Sequence, residues 1–178
     1  MSIEKLLESL PVYAKDMKLN LSSLMNQPEL TPVQMWGTLV TAAMISRNGE
    51  VTEAIFTDAE KNLTAEQLQG AKAAATVMGM NNVYYRFLHL TDNEKYGTIP
   101  AKLRMNIMRS HGADHLDFEL WCIAASAINN CGTCVKSHER VLREKGMPEE
   151  TILAGVRLAA VVHSIATVLD AESLAPVS

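Results

Sequence analysis

Two cysteines three residues apart, Cys131 and Cys134, are followed four residues later by His138 and preceded by Glu119. On a helix such spacings put side chains on one face, so both thiols and the imidazole would converge. This set serves either a metal or a redox centre. For zinc, Cys131, Cys134 and His138 are three ligands, and a closed structural site would take its fourth from His111, His115 or Glu119. No second CxxC is present. For redox work, reduction of a peroxide needs a thiolate, a proton for the departing oxygen and a second thiol to resolve the sulfenic acid. Cys131 and Cys134 supply attacker and resolver, His138 can relay a proton near neutral pH, and Glu119 can orient that relay or act as its base. Gly132 and Thr133 are small, which would leave the sulfurs accessible to a partner, and the thiols can close into a disulfide without unfolding anything. Asn129-Asn130 reads as a helix break. It places Cys131 near the first turn of the next helix, where exposed N–H groups favour a thiolate.

The other reactive residues fit blander roles. Cys122, between Trp121 and Ile123, reads as core. His163 lies in an apolar helix and reads as a packed core histidine. His89, His111 and His115 fall at or near an irregular segment and are expected to be exposed.

The elements that must position these groups are helical throughout. A short helix over 2–10 stops before Pro11, and a second covers 12–25. Thr31 with Gln34, and Thr64 with Gln67, form capping boxes that start helices, the first with Pro32 at its first position. The first should run to about Arg47; a segment over 51–61 follows. The second should run to Met78, with Gly79 loosening it before a further helix over 81–90. Residues 91–115 are irregular, with Gly97, Pro100 and Gly112 as punctuation. Helices over 116–129, 131–145 and 148–171 complete the chain, Gly146 ending one and Pro148 opening the next. No strand alternation appears, so the class is all-α. Shifting 51–78 by 84 positions matches Val51 with Val135, Glu66 with Glu150 and Ala75 with Ala159. One domain, 1–178, with an internal repeat of roughly 31–90 and 116–171, is the expected organisation.

Composition agrees. Hydrophobic residues make up 48% of the 178 and aromatics only 5%, a mix poor in the residues that fill pleated surfaces. A net charge of −4 without a basic cluster excludes binding to nucleic acid through its phosphates. The most apolar run, Leu158 to Leu169, is shorter than the roughly 20 residues a membrane helix needs. The N-terminus carries Glu4 and Glu8 within its apolar pattern and reads as no targeting signal, so a cytoplasmic protein is expected. In a reducing compartment, a CxxC is catalytic or metal-binding rather than a structural staple.

Glu119, the CGTC run at 131–134 and His138, with WGTL at 36–39, MGMNNVYYR at 78–86, LRMNIM at 103–108 and FELW at 118–121, resemble the alkyl hydroperoxidase D (AhpD) family. That family lies within the carboxymuconolactone decarboxylase-like superfamily of all-helical proteins. The resemblance implies an antioxidant peroxidase that reduces alkyl hydroperoxides. It binds no cofactor, drawing electrons from dihydrolipoamide on the lipoyl domain of a dihydrolipoamide acyltransferase and passing them to the peroxiredoxin AhpC. It implies a homotrimer. Carried over, Cys134 is the sulfenic-acid-forming thiol, Cys131 the proton donor and resolving partner, and Glu119 and His138 the proton relay. Helix-end physics instead favours Cys131 as the lower-pKa thiol, and leaves it the thiol expected to meet a partner's disulfide. The chain also departs from the family: a histidine often precedes the second cysteine, where Thr133 stands here. The relay would then depend more on Glu119, His138 and water, with lower turnover. Two further readings are a thiol–disulfide carrier or redox-sensing module without peroxidase activity, and, remotely, a lactone decarboxylase-like enzyme.

Overall fold

A computed structural model describes residues 1–174. Nine α-helices lie among them, and no strand: α1 (Ile3–Glu8), α2 (Lys15–Leu24), α3 (Pro32–Ser46), α4 (Gly49–Ala59), α5 (Ala65–Leu90), α6 (Glu94–Thr98), α7 (His115–Ile128), α8 (Gly132–Glu144) and α9 (Glu149–Ser173). Both capping boxes form. Thr31 and Thr64 accept from the backbone N–H of Gln34 and Gln67, whose side chains return to the cap N–H groups. The expected break at Gly79 is absent, and α5 runs unbroken for 26 residues. Gly79 lies on the helix's exposed side. The roughly 1 kcal/mol that a mid-helix glycine costs is outweighed by burial of Ala75, Met78 and Asn82 on the opposite side.

Helices α3, α5, α7 and α9 pack together as the centre of the fold. Their small residues allow close approach: a Cβ on Gly37 of α3 would overlap the indole ring of Trp121 on α7, and one on Gly155 of α9 would come within 3.0 Å of Leu120 Cδ1. Trp121 is fully buried and donates its indole N–H to the Gln34 carbonyl at 3.3 Å. This fixes α7, which carries Glu119, against α3. By length and hydropathy α9 is apolar enough to cross a membrane, but its Leu158, Val162, Ile165 and Leu169 are buried within the fold. The helix starts Pro32, Gly49 and Ala65 recur in order at His115, Gly132 and Glu149. The second set contains the cysteine pair.

Candidate active site

The turn between α7 and α8 sets the position of both cysteines. Asn130 adopts a left-handed conformation (φ 55°), its N–H bonds the Ala127 carbonyl at 3.2 Å, and the next N–H, that of Cys131, bonds the Ser126 carbonyl at 3.1 Å. This is a Schellman ending, for which asparagine is the best residue after glycine. Cys131 therefore closes α7 and at the same time caps α8, with Cys134 in the first turn of α8. The two cysteines form a disulfide, their Cα atoms 5.3 Å apart. Cys134, His138 and Leu142, each four residues from the next, are the buried stripe of α8.

Across from that stripe stands Glu119. Its Oε2 lies 2.7 Å from Nδ1 of His138, with Glu119 only 6% and His138 only 7% exposed. An ionised carboxylate can only accept, so Nδ1 carries the proton in this contact and Nε2 is the nitrogen left for chemistry. Burial makes the pairing obligatory, because an isolated charge in this interior would be strongly destabilising.

Cys134 and His138 line a cavity of about 360 Å³. Met78, Tyr85, Met105 and Met108 give it an apolar wall, and Asn81 and Thr133 add polar groups. A small dithiol site with an apolar wall can accept a reactant with an alkyl arm, the methionines adapting to its shape. A larger cavity of about 600 Å³ lies alongside, lined by Lys72, Arg104 and His111 among others, and contains neither cysteine.

Several expectations need correction. The sulfurs are not both accessible: Cys131 is fully buried, and Cys134, though only 6% exposed, is the one that reaches the cavity. The small residues between them do not open a path to Cys131: Gly132 and Thr133 are exposed, yet Cys131 beside them is fully buried. His163 is exposed rather than packed in the core, although its Nδ1 lies 3.3 Å from Ser46 Oγ at the end of α3. His89 and His115 are exposed as expected, but His111 is half-buried and stacks on Phe118 with ring centroids 3.9 Å apart. Burial, then the neighbouring His115, lowers its pKa below the usual histidine value. Cys122 is buried, and burial, then the charge of Glu119, pushes its thiol well above the ordinary value of 9.0. Among the described residues, no three His, Cys, Asp or Glu side chains converge as metal ligands.

A polar clamp behind the site escaped the sequence reading. Asn82 on α5 donates to Ser126 Oγ at 2.9 Å and accepts from Asn129 Nδ2 at 3.0 Å, and Arg86 donates to the Asn129 carbonyl at 2.8 Å. Two residues one turn apart on α5 thus hold the end of α7 from which the cysteine turn departs. The available signal was the asparagine pair within an otherwise apolar stretch of helix, in MGMNNVYYR, together with Arg86 four residues on.

The chain is similar to known proteins over nearly all its length. The carboxymuconolactone decarboxylase family matches residues 94–175. The alkyl hydroperoxide reductase AhpD of Solibacter usitatus is 53% identical over 173 residues, covering 97% of this chain and 98% of that protein. Its counterpart from Acidobacterium capsulatum is 55% identical over 175 residues, covering 98% and 96%. That of Rhodospirillum centenum is 52% identical over 173 residues, covering 97% and 93%.

Proposed function

The chain belongs to the AhpD family, and we propose that it is an antioxidant dithiol peroxidase that reduces alkyl hydroperoxides through Cys131 and Cys134. The observation that carries this reading is the shared cavity. It brings Cys134 and His138 to one apolar-walled space, with Cys131 bonded to Cys134 behind it and Glu119 bonded to His138.

The cycle starts from the reduced pair. The Cys134 thiolate attacks the terminal oxygen of the hydroperoxide, the O–O bond breaks, and Cys134 becomes a sulfenic acid. The departing alkoxide takes a proton from the His138–Glu119 relay and leaves as the alcohol. Cys131 then attacks the Cys134 sulfur; its proton and the sulfenic hydroxyl leave as water, and the disulfide forms. Two electrons and two protons from a dihydrolipoamide group restore the dithiol, giving lipoamide disulfide. Both cysteines lie at the start of α8, so the helix end favours a thiolate at either; exposure to the cavity is what favours Cys134 as attacker. Burial likewise makes Cys134, rather than Cys131, the sulfur that an incoming thiol meets.

Dihydrolipoamide on an acyltransferase's lipoyl domain is the proposed donor, and an AhpC-type peroxiredoxin the proposed recipient of electrons, in the cytoplasm. A homotrimer is the proposed assembly. It would cover the exposed apolar strip of Val83, Phe87 and Leu90 on α5 with Ile99 beyond α6. The test is a donor panel. Dihydrolipoamide, thioredoxin and glutathione are each supplied with one alkyl hydroperoxide to the wild type and both cysteine-to-serine variants. Turnover with dihydrolipoamide that Cys134→Ser abolishes supports the reading; undiminished turnover in that variant overturns it.

A further inference from the structure

Two adjacent asparagines on α5 are buried, and their surroundings differ. Asn82 has both ends of its amide bonded, to Ser126 and Asn129. Asn81 is 4% exposed, yet its Oδ1 has no hydrogen-bond partner, and its Nδ2 meets only the thioether of Met108 at 3.7 Å. Buried carboxamides are nearly always satisfied, and one left half-used costs about 1–3 kcal/mol. The side chain lines the same cavity as Cys134 and His138. Its terminal torsion is soft, and the weak thioether contact is easily exchanged for a better one.

We infer that Asn81 is the residue that binds the hydroperoxide group of the substrate, its carboxamide oxygen accepting the terminal O–H. This rests on the peroxidase reading above. A hydroperoxide has one donor, on the terminal oxygen that the thiolate must attack. Among the cavity's polar side chains other than the reacting thiol and imidazole, Tyr85 is half-buried and Ser137 and Thr133 are exposed, so Asn81 alone presents a buried, unpartnered acceptor. His138 has one nitrogen committed to Glu119. An acceptor at Asn81 holds the terminal oxygen by its hydrogen and leaves the alkyl arm to the methionine wall. After attack the same hydrogen stays on the oxygen now bonded to Cys134, so one contact serves substrate and sulfenic acid alike, while the alkoxide is protonated from the histidine side. Nothing is transferred to or from Asn81.

The test separates reaction with peroxide from reaction with thiols. Pre-reduced wild type, Asn81→Leu and Asn81→Ala are mixed with cumene hydroperoxide and the loss of thiols is followed in a single turnover. Oxidised samples of each are separately reduced with dihydrolipoamide. Asn81→Leu should lose tenfold or more in the peroxide step, as expected for a lost hydrogen bond at a reacting group, with disulfide reduction changed less than about twofold. Asn81→Ala, which removes the amide without adding bulk, should show the same split, and Asn81→Gln should recover part of the rate. Equal peroxide rates in wild type and both variants overturn the assignment while leaving the peroxidase reading intact. So does an equal fall in both half-reactions, which marks a purely structural residue. A wild type no faster than its Cys134→Ser variant overturns both.

Discussion

The carboxylate of Glu119 lies 2.7 Å from Nδ1 of His138, and neither side chain is open to solvent. The pair spans α7 and α8, so the relay is held by the same contact that docks the cysteine-bearing helix. Glu119→Gln keeps the shape and removes the charge that fixes the imidazole's protonated nitrogen. Hydroperoxide reduction in a single turnover should fall by at least about tenfold, the low end for a misplaced acid–base group. Glu119→Ala should in addition lower stability by about 1–3 kcal/mol in denaturant titrations, because His138 loses its buried partner. A Glu119→Gln variant that reduces hydroperoxide at the wild-type rate removes the relay from the mechanism.

The unequal burial of the two sulfurs gives a chemical test of their roles. In Cys131→Ser, one equivalent of hydroperoxide should leave Cys134 as a sulfenic acid that dimedone traps, seen as a single adduct by mass spectrometry. In Cys134→Ser no adduct should form at Cys131, which has no exposure to the cavity. An adduct at Cys131 alone would reverse the assignment of attacker and resolver.

What the sequence made legible was local. Thr31, Thr64 and Gly146 announced helix ends because caps act within one turn, and the spacing of Cys134 and His138 placed them on one stripe for the same reason. Glu119 reached the site by resemblance and by chemistry; nothing in its spacing from Cys131 required contact with His138. What stayed hidden depended on packing between helices distant in the chain. The burial of Cys131 follows from the turn that ends α7, and the exposure of His163 from its place at the edge of the contact between α9 and the end of α3. Asn81 and Asn82 are identical neighbours in the sequence, and only the approach of α7 to one and of the 105–108 segment to the other tells them apart. The uninterrupted α5 shows the same limit, a glycine's weak local preference yielding to tertiary contacts.

The left-handed Asn130 and the clamp on Asn129 predict how the cysteine turn tolerates change. Asn130→Gly should be neutral or slightly stabilising, while Asn130→Val should cost about 1–2 kcal/mol by thermal or denaturant unfolding, since a β-branched residue resists positive φ. Arg86→Met removes the donor to the Asn129 carbonyl and should cost about 1–3 kcal/mol. Should Asn130→Val match the wild type in stability, the turn is not what sets the cysteines' position.

Cys122 supplies a prediction in pH. Its thiol is held well above the ordinary 9.0 by burial and by Glu119, whereas in the unfolded chain it ionises near that value. A raised folded pKa means that the unfolded state loses its proton first. The contribution of Cys122 is therefore fully present below pH 9 and is lost as pH rises toward the folded value. In that window the wild type should lose up to about 1.4 kcal/mol per pH unit more than Cys122→Ala, measured by denaturant unfolding of the oxidised proteins at matched pH. Tyrosines and lysines titrate in both proteins and cancel in the difference. The same burial makes Cys122 inert: the reduced native protein should show thiol reactivity at Cys134 and none at Cys122, which reacts only in denaturant. Parallel stability curves for wild type and Cys122→Ala above pH 9 would mean that Cys122 ionises as readily in the folded protein as in the unfolded one.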